Sequence, residues 1–329
     1  MALVDDFLRR DGVPAEPSDA LHRLPVPTAP GTYVLATGQA AAYRLHILHD
    51  LYERGTLRLL LGAGLRRGMR VADVGCGVGM VTALLAQLVG PEGHVVGIDC
   101  SGAQLAQARQ RVASVGTNAS FVEAGATETG LPPGSFDLVY CRFLLLHLPD
   151  PERALGEMRS LLKPEGILVC EDGDLTSSGS EPPSALAAFA DLWGRLGPKR
   201  GLDYTLGRRL FQMVLAAGFL APEITFNQPV VARGENKRFL ELSVAEAGPA
   251  FIDAGLITAE ALASTLAEMR RLNGDGTVLA VMPRMAQVWA RKPAPQPRRA
   301  TPGRGSEVFE GPPDTGNRES KQRRHVSGS

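Results

Sequence analysis

Residues 71–80, VADVGCGVGM, constrain this chain more than any other stretch. Apolar β-formers lead into an acid, Asp73, and then into three glycines on alternate positions. This is the pattern of a buried parallel strand that turns tightly at its carboxyl end. Gly75, Gly77 and Gly79 have no Cβ, so the backbone there can adopt positive φ and approach a bound molecule closely. A helix is expected at once, over 79–89, with a ligand at the strand's end. Spacing narrows the choice of ligand. The dinucleotide fingerprint needs a third glycine where this chain has Met80, and a phosphate-binding P-loop needs a Gly-Lys-Ser/Thr run that is missing. The next apolar run, HVVGIDCS (94–101), reads as a second parallel strand ending in Asp99. A carboxylate there can accept hydrogen bonds from both hydroxyls of a ribose. Adenosine without a pyrophosphate fits these features.

Beyond this loop, strands are expected at 71–74, 94–98, 119–123, 136–141 and 166–171, alternating with helices at 102–115 and 151–162. That alternation is the signature of a parallel sheet covered on both faces. A polar loop (175–183), helices at 185–196 and 206–217, a strand at 224–231, helices at 237–247 and 258–272, and a strand at 278–290 complete the chain. Upstream, leucines recur at three- and four-residue intervals over 39–62, an amphipathic helical pattern. Residues 1–31 mix Pro and Gly with short apolar pieces and are expected to be a loosely ordered arm. From 293 onward Pro, Gly, Arg and Ser dominate, and that tail is expected to be disordered.

Several stretches together resemble the successive motifs of class I S-adenosylmethionine-dependent methyltransferases. They are the acid-x-Gly-x-Gly-x-Gly loop at 73–79, Asp99 closing the next strand, LPPGSFDLVYCRFLLLHLPDP (131–151) and LLKPEGILVCEDGD (161–174). The resemblance spans roughly 33–292 and implies an α/β fold. That fold is a doubly wound, mostly parallel, seven-stranded Rossmann-like sheet whose last two strands form an antiparallel hairpin at its edge. It also implies a lid at 32–64, a core at 65–234, a helical insertion at 235–276 that shapes the acceptor pocket, and a last strand within 277–292.

The implied cofactor is S-adenosyl-L-methionine. By the resemblance, the glycine loop with Cys76 and Asp99 with Cys100 would seat the adenosyl part. Asp73 would meet the methionine ammonium or else cap the loop's own N–H groups. Tyr33 and Arg44, from the lid, would close on the methionine carboxylate; alternatively Tyr33 packs and Arg44 is solvated. Arg142 would touch the methionine moiety through its backbone. The family's acid after the third strand is replaced by Gly125, so Ala126 and Thr127 are the candidates for meeting the adenine. His147 is the candidate general base, the alternative being a structural histidine. Glu171, Asp172 and Asp174 would orient an acceptor or else form a solvated loop.

Charge balances to zero, with 35 basic and 35 acidic side chains, which gives no general attraction to nucleic acid or an anionic membrane. No apolar run reaches the length of a membrane span and the N-terminus has no signal-peptide layout, so a cytoplasmic protein is expected. The four cysteines form no C-x-x-C pair and are read as buried reduced thiols, with no metal site. The expected function is methyl transfer to an oxygen, nitrogen or carbon of a small organic acceptor. The alternatives are a regulatory protein that binds the cofactor without transferring methyl, and a nucleic-acid modifier aided by the basic tail.

Overall fold

Alternating buried strands and amphipathic helices fold here into a sheet whose strand order reverses beside the glycine loop. The computed structural model describes residues 39–115 and 118–294. The arm at 1–31, Tyr33 and nearly all of the tail lie outside the described residues. Strands β1 (Arg70–Val74), β2 (His94–Asp99), β3 (Ala119–Glu123), β4 (Phe136–Arg142), β5 (Leu162–Asp174), β7 (Leu220–Asn227) and β10 (Arg284–Arg291) form one seven-stranded sheet. Its order is β3-β2-β1-β4-β5-β10-β7. The β1, β2, β3, β4 and β5 pairings are parallel, and β10 runs antiparallel to both β5 and β7. The expected sheet and its edge hairpin are both present. The chain leaves β1 toward β2 and then returns to β4 on the other side, which opens a crevice at the carboxyl ends of β1 and β4.

Helices α2 (Met80–Val89), α3 (Gly102–Val115) and α4 (Pro151–Leu161) are the crossovers. Asp150 caps α4 by accepting the Arg153 N–H at 3.0 Å, with Pro151 in the first turn, where its missing N–H costs nothing. The strand interiors are dry: Val71, Ala72, Val74, Leu138, Val139 and Cys141 are all buried. Cys141 and Cys170 face each other across the β4/β5 register as buried thiols, whereas Cys100, expected to be buried, is exposed.

Prolines account for the departures from the expected elements. The predicted strand 278–290 is two strands, β9 (Leu279–Val281) and β10, broken at Met282-Pro283. The predicted strand 224–231 is likewise β7 and β8 (Val230–Val231), broken beside Pro229. Proline has no N–H for the ladder, so each strand leaves the large sheet there. The pieces β9 and β8 join β6 (Gly179–Glu181), which lies inside the segment expected to be loop, in a three-stranded sheet ordered β6-β9-β8. Strand β5 starts four residues early and runs three residues past its predicted end, because Glu171, Asp172 and Asp174 remain buried.

Four further helices stand over the crevice or beside it: α1 (Gln39–Ala63), α5 (Ala188–Arg200), α7 (Phe239–Asp253) and α8 (Ala259–Asn273), with α6 (Leu210–Ala216) preceding the edge hairpin. Helix α1 is more than a cover. Ile47, Tyr52, Leu57, Leu59 and Leu60 are buried along it, and the Tyr52 hydroxyl donates to the Pro283 carbonyl at 2.7 Å. Leu61, which the leucine periodicity would put inside, is 43% exposed.

Candidate functional site

The glycine loop is held in shape by its neighbour strand. Gly75 and Cys76 both donate N–H groups to the Ile98 carbonyl, at 2.8 and 3.0 Å, and Gly77 donates to the Asp99 carboxylate at 2.9 Å. The other oxygen of Asp99 accepts from the Ser101 N–H at 2.9 Å. Each carboxylate oxygen therefore carries one backbone bond and keeps a lone pair for a ligand. Burial raises the Asp99 carboxyl, opposed by those backbone bonds. Gly75, Gly77 and Gly79 take φ of +74°, +53° and +77°, a region that L side chains rarely adopt.

The three glycines do different work. Gly75 and Gly77 border a cavity of about 320 Å³ at the end of β1, together with Asp73, Cys76, Asp99 and Cys100. Gly79 does not border it: a Cβ there would lie 2.8 Å from the Ala108 Cβ and 3.0 Å from its Cα. Gly79, expected among the cofactor residues, lies outside the cavity lining. It is the point where α2 and α3 pack closely. Asp73, fully buried, caps no loop N–H; it accepts the Thr82 hydroxyl at 2.6 Å. Burial pushes its carboxyl up to about 6, with Thr82 and Arg142 opposing.

Beyond the loop the cavity is walled by side chains. Arg44, Leu45 and Leu48 come from α1, Phe189 and Trp193 from α5, and Phe239 and Ser243 from α7. Arg44 is not solvated. It is 4% exposed and its Nε pairs with Glu246 of α7 at 2.6 Å, so it lines the cavity while fixing α1 to α7. The Tyr43 hydroxyl adds a second α1 contact to this region through Glu235.

The short turn Leu145–His147 after β4 brings Leu146, His147 and Leu148 to the cavity. Asp172 shapes that turn from below. One of its oxygens accepts the Leu145 and Leu146 N–H groups at 2.8 and 3.3 Å, and the other accepts Gly173 N–H at 2.8 Å. Burial nonetheless raises its carboxyl to about 7. Glu171 is buried too, raised by burial to about 7, and accepts the Thr56 hydroxyl of α1 at 2.8 Å. Asp174 pairs with Arg208 at 2.7 Å. None of the three borders the cavity, and none is solvated. The expectation of a solvated loop is corrected: these acids are buried struts that position the turn and α1.

Arg142 borders the cavity and reaches Thr56 and His49 of α1, at 3.3 and 3.4 Å. His147 borders it as well, edge-on to Tyr204 at 5.9 Å. Burial, then the Arg44 charge, pulls its imidazole down to about 3, so it is neutral near pH 7. Ala126 and Thr127 do not border the cavity; Ala126 packs against the core and Gly125 bridges to Glu128. Gln104, Phe189, Trp193, Phe239 and Ser243 were not foreseen as site residues. Only the four-residue spacing of Phe189 and Trp193 hinted that they share a helix face.

Part of the chain is similar to known proteins. Residues 72–170 match the methyltransferase domain family. Over that stretch the chain is similar to methyltransferase domains. Within it, 126 residues are 36% identical to the demethylmenaquinone methyltransferase of Listeria monocytogenes, covering 38% of this chain and 52% of the relative. The Staphylococcus aureus protein of the same name is 40% identical over 113 residues, 34% of this chain and 46% of that one. This chain thus spans about half the length of the curated relatives it matches, and the family match at 72–170 ends before the walls from α5 and α7. Among solved structures, the YcgJ protein of Bacillus subtilis superposes with a TM-score of 0.51 at 18% identity, over 74% of this chain and 100% of that one. The phosphoethanolamine N-methyltransferase 2 of Haemonchus contortus does so at 0.50 and 17%, over 77% and 58%. These structures share the methyltransferase domain's fold. Among the described residues, no helix is long and apolar enough to cross a membrane.

Proposed function

We propose that this protein transfers a methyl group from S-adenosylmethionine to an oxygen, nitrogen or carbon of a small organic molecule. The observation that carries the reading is the Asp99 carboxylate. It stands at the rim of the cavity with a free lone pair on each oxygen, beside Gly75 and Gly77 in positive φ. A Cβ at Gly75 would lie 2.8 Å from Leu144, so bare backbone is required to keep this seat open.

Asp99 would hold the ribose hydroxyls, Gly75 and Gly77 would lie against the adenosyl part, and Asp73 with Arg142 would face the methionine end. When bound, the donor supplies a sulfonium methyl that is already activated. The protein's task is then alignment, which can contribute roughly 7–11 kcal/mol to lowering such a barrier. Arg44 and its Glu246 partner fix α1 over the site, and the α5 and α7 walls exclude water from it. His147, held neutral, offers a hydrogen bond to an acceptor without adding charge. A proton leaving the acceptor would meet a weak base there.

The test has two stages. Calorimetry with S-adenosylhomocysteine should show one site per chain. Incubation with labelled donor and a panel of small acceptors should then yield a methylated product. Binding without transfer to any acceptor would favour the regulatory alternative, and no binding would end the proposal.

A further inference from the structure

The acceptor side of the cavity has a chemistry of its own. Leu146, Leu148, Phe189, Trp193 and Phe239 face it, while the only acids lining the cavity among the described residues, Asp73 and Asp99, belong to the glycine-loop side. The charges that line it elsewhere are the cations Arg44 and Arg142. Among the described residues no carboxylate on this side therefore stands ready to receive a cationic amine, and an ammonium group would be desolvated against aliphatic and aromatic carbon beside a guanidinium.

Trp193 adds a second, independent observation. It is 1% exposed and braced edge-on by Tyr204, with ring centroids 4.8 Å apart, and by Phe251 at 5.5 Å. Its indole N–H is buried without a hydrogen-bond partner. Buried donors are nearly always satisfied, and this unpartnered one belongs to a residue that lines the cavity. Ser243, whose hydroxyl donates to the Phe239 carbonyl at 2.8 Å, makes no bond to the indole.

We propose that this wall takes a neutral ring compound carrying an oxygen. Phe189, Trp193 and Phe239 enclose the ring, and the oxygen accepts the Trp193 N–H. Cationic amines of the same size are refused. The inference rests on the methyl-transfer reading above but names the class of acceptor, which that reading leaves open. Selection works through difference: the oxygen satisfies a donor that a bare hydrocarbon leaves open, and an ammonium brings a charge the wall cannot pair.

The chain has two tryptophans, and the second, Trp289, lies at the sheet edge and donates to Glu223 at 3.1 Å. Trp289→Phe therefore leaves Trp193 as a single fluorescent reporter without touching the cavity. With that variant saturated in S-adenosylhomocysteine, benzyl alcohol, toluene and benzylammonium are matched probes that do not absorb at the excitation wavelength. The expected result is that benzyl alcohol shifts Trp193 emission and binds at least about tenfold tighter than benzylammonium. The alcohol should also bind about two- to tenfold tighter than toluene, and calorimetry on Trp193→Phe should show that second preference gone. Benzylammonium binding as well as the alcohol, or no probe altering Trp193 emission, overturns the proposal. The alcohol's advantage over toluene surviving in Trp193→Phe removes the indole's role. Calorimetry with S-adenosylhomocysteine alone separates these failures from failure of the donor site itself.

Discussion

The two walls of the cavity are built from different material. The glycine-loop wall is backbone: N–H groups of Gly75, Cys76 and Gly77 tied to Ile98 and Asp99, with positive φ at each glycine. The opposite wall is side chain, contributed by α1, α5 and α7 from positions as far apart as Arg44 and Ser243. Backbone geometry is fixed by a few residues in one short stretch, so single substitutions there should be decisive. A wall of packed side chains spreads its effect over many contacts, and single substitutions there should tune rather than abolish.

That contrast can be broken, and the strongest attempt is Gly77→Val. Its φ of +53° is unfavourable for a β-branched residue by roughly 1–2 kcal/mol, and the new side chain enters the space the donor needs. Calorimetry should find donor binding lost while circular dichroism stays native. Asp99→Ala comes next. It would remove the two ribose bonds proposed for this carboxylate and also frees the Gly77 and Ser101 N–H groups, so donor affinity should fall by about tenfold to several thousandfold. An unchanged dissociation constant would mean that the carboxylate serves only the loop.

A smaller effect follows from Asp73. Its carboxyl is raised to about 6, so its proton is held through mild acid and released toward neutrality. A cationic donor prefers the ionised form, and its affinity should therefore fall by up to about tenfold from pH 7 to pH 5. The unliganded fold shows the opposite sign. A raised carboxyl gives stability that is full below its ordinary value and lost as pH rises through about 6. Titration calorimetry and thermal melts across this range should diverge. Last, Phe189→Leu on the side-chain wall should leave donor affinity alone and weaken acceptor binding by only about three- to tenfold. If it instead removed donor binding, the two walls would not be separable.

The same contrast explains what the sequence discloses. The strands and the loop at Gly75, Gly77 and Asp99 are local, disclosed by apolar runs and glycines within short stretches, whereas the seven-stranded sheet and its edge hairpin follow from the resemblance. The third glycine misleads, because Gly79 has the spacing of a ligand residue but answers to Ala108 on the next helix. Glu171, Asp172 and Asp174 mislead in the opposite way. Acids at a strand end look solvated, and only the tertiary fold reveals that they serve Thr56, the Leu145–His147 turn and Arg208. Phe189, Trp193 and Phe239 converge through packing of separate helices, which no spacing in one segment encodes.

The bond between Thr56 and Glu171 has a consequence for the working protein. It fastens the helix over the cavity to the central sheet through a carboxyl that burial raises to about 7, while Arg142 and the Thr56 hydroxyl favour its charged form, so the bond itself tightens as the proton leaves. Alkaline conditions strip that proton and leave a charge in the interior with Arg142 to answer it. Roof and interior thus pull in opposite directions as the medium passes from slightly acidic to slightly basic: the hydroxyl grips the carboxylate harder, while the buried charge costs the fold stability.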